Sequence, residues 1–239
     1  MKNLLNKDRH ITRLLVIMAI VLAAMAVLNP SVFYSASNFS SMAVQFPELG
    51  FLSIAAALVL MSGGIDLSIT GTAVFSGIVA ARIMLASDSP DGPSVMVVVL
   101  ACAAALLVGL ACGAVNAVLV AKVGIAPMLV TLGTMNLFTG IGIVLTKGSA
   151  LSDFPASFLA IGSGRLLGIP VPLLLFVLAT IILAFFLNKT KLGYKLCIYG
   201  SNPVASFFSA INNTKVVFTT YVMSGLISSI AGIIMVSRV

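Results

Sequence analysis

The chain has 239 residues, of which 60% are apolar and only 8% charged, with 13 Lys or Arg against 6 Asp or Glu. A soluble domain carries about 25% charged residues to cover its outside, so composition and a mean hydropathy of +1.20 exclude a water-soluble fold and point to a bilayer. At roughly 20 apolar residues per spanning helix, the length leaves room for an all-α polytopic bundle and no sizeable aqueous domain. The net charge of +7 does not indicate nucleic acid, because the basic residues are neither clustered nor interleaved with aromatics.

In chain order, residues 1–13 form a basic leader holding Lys2, Lys7, Arg9 and Arg13, and an apolar run, Leu14–Leu28, follows. The pattern is like a signal peptide, with Ser35-Ala36-Ser37 as a cleavage-like site. The rest of the chain is equally apolar, so the run is read as a retained first span. Further spans are expected at about Met42–Met61, Ile69–Leu85, Val95–Val120, Pro127–Leu145, Pro172–Leu187 and Val216–Val236, about seven in all. The segment Ser62–Ser68 separates the second and third. Ser87–Pro93 is the clearest turn signal, Lys147–Ile169 reads as a polar, Gly-rich loop, and Asn188–Lys215 is the longest aqueous-looking stretch. The organisation expected is a cytoplasmic segment, 1–13, and a transmembrane domain, 14–239, with a cytoplasmic loop at 188–215.

Sorting the basic residues by side orients the chain. With the N-terminus cytoplasmic, Lys2, Lys7, Arg9, Arg13, Lys122, Lys189, Lys191, Lys195 and Lys215 fall inside. Arg82, Lys147, Arg165 and Arg238 fall outside. The excess inside is the direction the positive-inside rule requires.

Catalytic readings fail on inventory. The single histidine, His10, lies in the leader, so neither a His-based triad nor a zinc site can be assembled. Cys102, Cys112 and Cys197 have no disulfide or metal spacing, and Glu48, Asp66 and Asp153 are scattered. Gly63-Gly64-Ile65-Asp66 is similar to the intramembrane aspartyl protease motif, but no other span supplies a second aspartate. No G-x-x-x-x-G-K-[ST] loop occurs. The chain is therefore read as no enzyme, with no metal and no cofactor of its own.

Three segments carry more information. Ala101, Ala105, Gly109, Gly113, Ala117 and Ala121 recur every fourth residue and make a smooth helix face, suited to packing inside one bundle, the preferred reading, or to a subunit dimer. Gly63, Gly64, Asp66 and Ser68 can form a tight turn, with Asp66 capping the next helix, or a helix break lining a path. Asn202 is a good N-cap with Pro203 at the first helical position, so a short helix should start there. It would display Phe207, Phe208 and Ile211, an apolar patch that calls for a partner surface or for lipid headgroups.

Ser62–Ser68, Thr190-Lys191-Leu192-Gly193, Gly200-Ser201-Asn202-Pro203-Val204-Ala205 and Tyr221–Ile227 with Ala231–Ile234 resemble the membrane permeases of ribose-type ABC importers, in the family's order and at about its spacing. The resemblance implies a permease subunit in the bacterial inner membrane, working beside a second, identical or different, permease subunit. Separate ATPase subunits supply the energy, and an extracytoplasmic solute-binding protein delivers the solute. It also implies that the segment at Gly200, Asn202, Pro203, Ala205, Phe207, Phe208 and Ile211 is the coupling helix that docks on the ATPase. A sugar or related small neutral solute is the expected cargo. Gln45, Asn116, Thr131, Thr134 and Asn136 are the candidate hydrogen-bonding groups along its path. The alternative is a stand-alone secondary carrier or channel, which would need titratable residues in mid-membrane; only Glu48 and Asp66 come near that description. The sequence departs from the family at Pro203, where an acidic or small residue is common, and at Ala210, where glycine is usual. The stretch Gln45–Gly50 points to a branch apart from the ribose permeases proper. Family members usually continue for several more spans beyond Val239, so a C-terminally truncated chain is expected.

Overall fold

The computed structural model describes residues 9–87 and 94–238; most of the basic leader and most of the Ser87–Pro93 turn lie outside the described residues. The chain divides into two compact units, residues 1–43 and 44–239. In the first, α1 (Arg9–Leu28) is followed by the single turn α2 (Pro30–Phe33) and the start of α3 (Ala36–Met61). α1 stops where the chain meets Pro30, because the residue before a proline is pushed out of the helical region; Asn29 has φ −140°. Ser35 then opens α3, its Oγ accepting the Asn38 amide at 3.1 Å.

The second unit is built from the remainder of α3 with α4 (Ile69–Leu85), α5 (Val95–Ala117), α6 (Pro127–Thr146), α7 (Ala156–Ser163), α8 (Val171–Lys189), α9 (Lys191–Ser201), α10 (Pro203–Phe208) and α11 (Asn213–Val236). Among the described residues six helices are long and apolar enough to cross a membrane, and α4, at 17 residues, is a shorter apolar helix. The architecture is an all-α polytopic bundle, and the observed helices fall close to the spans expected from the sequence.

α11 is the most buried of the long helices and forms the axis of this unit. α5 lies antiparallel to it through the small-residue stripe. A Cβ on Gly109 would collide with the Gly225 carbonyl and Ser229, and one on Gly113 with the Tyr221 carbonyl. The two backbones approach only because those side chains are absent. The stripe is thus covered within the chain, the packing reading preferred above. α4 runs parallel to α11, with Gly77 against Gly232 and Val236, and α6 runs beside α4, with Gly71 against the Met135 backbone.

Two features go beyond the sequence reading. The segment taken as a polar loop after Lys147 contains α7 and a two-residue hairpin, Arg165–Leu166 with Ile169–Pro170 (β1 and β2). Phe154 and Phe158 bury against Ala80, Ala81, Met84 and Val98, which is why this stretch is ordered although its glycines and serines look loop-like. α5 ends in a π-helical turn, Val118–Lys122, where the Val123 and Ile125 amides reach back to Val118 and Leu119.

Candidate functional site

The break between α3 and α4 is made by local chemistry. Gly63 has φ +72°, and the Gly63 and Gly64 amides close on the Leu60 and Val59 carbonyls at 2.9 and 3.1 Å, the Schellman ending that glycine favours. Residues 64–67 then run without regular structure until α4 begins. Asp66 Oδ1 accepts from the Ser68 amide at 2.9 Å and from Ser68 Oγ at 2.7 Å. The carboxylate bonds no amide within the first turn of α4, so its local role is to fix the turn rather than to cap the helix from beyond it.

From Asp66 a chain of hydrogen bonds crosses the bundle. Ser224 Oγ on α11 donates to Asp66 Oδ2 at 2.9 Å. Asn116 Nδ2 on α5 donates to Ser68 Oγ at 2.7 Å, and Thr134 Oγ1 on α6 donates to Asn116 Oδ1 at 2.7 Å. The bonds converge on Asp66: Thr134 donates to Asn116, Asn116 to Ser68, and Ser68 and Ser224 to the carboxylate, while the Thr134 hydroxyl also lies 3.1 Å from the Val130 carbonyl. Thr131 Oγ1 joins from the side, 2.9 Å from the Pro127 carbonyl and 3.3 Å from the Ile65 carbonyl. Asp66 is 6% exposed, Asn116 1% and Ser224 0%. Ser224 lies eleven residues into α11, about 16 Å along a helix rising 1.5 Å per residue, so the chain of bonds sits near mid-length of the central span.

Four elements therefore meet at one polar point inside an apolar bundle. A buried polar group without a partner costs about 1–3 kcal/mol, more than a typical made bond returns, so the satisfied arrangement fixes the geometry of the break more than it adds net stability. Beside it, the Tyr221 hydroxyl is buried against Gly64 without a hydrogen bond.

The candidate solute residues divide. Asn116, Thr131 and Thr134 come together at the break with Gly64, Asp66 and Ser68. Gln45 and Asn136 are exposed on the outside of α3 and α6, Asn136 bonding the Leu132 carbonyl at 3.1 Å. Ser224 was missed as a site residue. Its signal was the recurrence of Thr220, Ser224 and Ser228 every fourth residue in an apolar span, with all three buried.

The second feature lies at one end of the bundle. Thr190 caps α9, and Asn202 Oδ1 accepts the Val204 and Ala205 amides at 3.0 Å each to start α10 at Pro203. Gly200 packs against the Met61 carbonyl, an approach that leaves no room for a side chain. Ser206 Oγ donates to Asn213 Oδ1 at 2.7 Å, and Asn213 Nδ2 donates to the Pro203 carbonyl at 3.0 Å, which pins α10 to the first residue of α11. Phe207 and Phe208 project outward at 69% and 82% exposure, their rings edge to face at 5.8 Å. Ile211 does not share that surface, as the sequence reading had it. It lies beyond the end of α10, where Ala210 (φ +56°) reverses the chain, and it packs against the cluster of Leu58, Leu196 and Val216.

Residues 38–239 match the model of the family described as "Branched-chain amino acid transport system / permease component". A D-allose transport system permease protein from Escherichia coli (strain K12) is 29% identical, covering 93% of this chain and 66% of that protein. An autoinducer 2 import system permease protein from Enterobacter sp. (strain 638) is 30% identical, covering 95% and 68%. A ribose import permease protein from Bacillus subtilis (strain 168) is 32% identical, covering 92% and 66%. The chain thus spans about two thirds of the length of these relatives. No solved structure matches it. With the family model extending from α3 to the end of the chain, over the helix break, the capped α10 and the central α11, the chain belongs to the family of branched-chain amino acid transport system permease components.

Proposed function

We propose that this chain acts as the transmembrane permease subunit of an ABC importer in the bacterial inner membrane, moving a sugar or a related small neutral solute. Separate ATPase subunits power it, and a second permease subunit and an extracytoplasmic solute-binding protein complete the assembly. The observation that carries the reading is α10. It is a short helix, capped at its start, tied by Ser206 and Asn213 to the first residue of the central span, and presenting Phe207 and Phe208 to the outside. Two exposed phenylalanines on a rigidly seated helix suit a groove in a partner protein, and a push on them passes directly into α11. The cargo class is supported by the relatives, whose names cite D-allose, ribose and autoinducer 2.

Phe207→Asp with Phe208→Asp places two charges on the docking surface while leaving the cap and the Ser206–Asn213 tie intact. The variant is expected to lose co-purification with the ATPase subunits and solute-stimulated ATP hydrolysis, with unchanged insertion in the membrane. Retention of both would sink the reading. Uptake by the chain alone in vesicles, driven by an ion gradient, would favour a stand-alone carrier instead.

A further inference from the structure

The end of the bundle that carries α9 and α10 also holds a basic cleft of about 480 Å³ between the last turn of α5 and the first turn of α11, lined by Lys122, Asn212, Thr214, Lys215 and Phe218. Lys122 closes the span Val95–Lys122, and Lys215 stands in the first turn of the span Asn213–Val236. The cleft therefore sits where two spans leave the apolar layer, at the depth of lipid phosphates. The π-helical turn Val118–Lys122 brings the Lys122 ammonium to 5.7 Å from the centre of the Phe218 ring. Among the described residues neither lysine lies in a salt bridge. No acidic residue lines the cleft. Lys122, Lys215 and Thr214 line the cleft beside the positive end of α11, and Phe218 supplies an apolar surface beneath the Lys122 ammonium.

We infer that this cleft binds the phosphate headgroup of an anionic phospholipid, with Lys122 and Lys215 contacting the phosphate and Phe218 lying against the start of the acyl chains. A lipid is favoured over a soluble anion because the cleft joins the ends of two membrane spans and pairs its charge with an apolar wall. Basic recesses between spans are suited to such headgroups. The site is separate from α10, so it stands whether or not α10 docks on an ATPase.

The test is native mass spectrometry of the purified full chain in detergent, with phosphatidylglycerol and phosphatidylcholine of identical acyl chains in competition. At roughly fivefold per lysine, a preference for phosphatidylglycerol on the order of twentyfold is expected. Lys122→Gln with Lys215→Gln should reduce it to near unity, and each single substitution should reduce it about fivefold, which keeps the test open if the double variant fails to fold. Lys122→Arg with Lys215→Arg should preserve it, as should Lys189→Gln with Lys191→Gln, which lowers the charge at the same end outside the cleft. The inference falls if the unsubstituted chain shows no preference, or if the preference survives in the double Gln variant. It also falls if the Lys189 and Lys191 variant loses the preference equally. Displacement of the lipid by millimolar glycerol 3-phosphate would make the occupant a soluble anion. Loss of ATPase co-purification in the Lys122 and Lys215 variant, without a lipid preference in the unsubstituted chain, would make it an acidic protein surface; either result overturns the lipid.

Discussion

At Ser224 a single hydroxyl joins the central span to the helix break. Ser224→Ala leaves Asp66 Oδ2 buried without its cross-helix donor, and the expected loss is about 1–2 kcal/mol of stability. Tyr221, three residues away, predicts the opposite sign. Its hydroxyl is buried with no hydrogen bond, so Tyr221→Phe removes an unsatisfied group and should leave stability unchanged or raise it by up to about 1 kcal/mol. Thermal unfolding in the same detergent compares the two directly; equal losses would show that packing, not hydrogen bonding, controls this point. Asp66, Ser68 and Asn116 were readable as candidates because polar residues in apolar runs stand out. Their connection was not, since it depends on which faces of α4, α5 and α6 turn toward one another, and hydropathy does not encode that rotation. Gln45 and Asn136 show the limit: identical in kind to Asn116, they face outward.

At the scale of elements, α10 shows how far local rules reach. Asn202 and Pro203 announced its start, and the structure has the cap they implied. Its end was misjudged at Ile211 because the sequence has alanine where the reversal needs a left-handed residue. The Ala210 amide bonds the Phe207 carbonyl at 3.1 Å and the Ile211 amide bonds the Ser206 carbonyl at 3.2 Å, a Schellman ending with alanine in the glycine position. The left-handed region costs an alanine about 1 kcal/mol, so the departure from the family's usual glycine has a physical cost. Ala210→Gly should relieve it, raising protection of the α10 amides against hydrogen exchange by several-fold, about 1 kcal/mol, while the Ser206–Asn213 tie stays in place. Lower protection would mean that glycine's freedom in the unfolded chain outweighs the strain.

For the membrane-spanning unit of residues 44–239, the placement of charge gives an orientation that can be checked with a native residue. α4, α6 and α11 run the same way, so their ends gather Arg82, Lys147 and Arg238 on one side, where Glu48 pairs with Arg238 at 2.8 Å. The other side gathers Lys122, Lys189, Lys191, Lys195 and Lys215; among the described residues none of these has a salt bridge. The side richer in Lys and Arg is the one the positive-inside bias holds in the cytoplasm. The helix directions thus agree with the sequence count, placing five of these basic residues at one end of the unit and three at the other. Cys197 reports on the lysine-rich side, because it is exposed on α9 between Lys195 and the start of α10, while Cys112 is buried and Cys102 half-buried within α5. A membrane-impermeant maleimide should leave Cys197 unmodified in intact cells or right-side-out vesicles and modify it once the membrane is opened or inverted. Cys197→Ser should abolish the labelling that appears once the membrane is opened or inverted. Labelling from the outside of sealed cells would reverse the orientation, and with it the assignment of α10 to the compartment where ATP is hydrolysed.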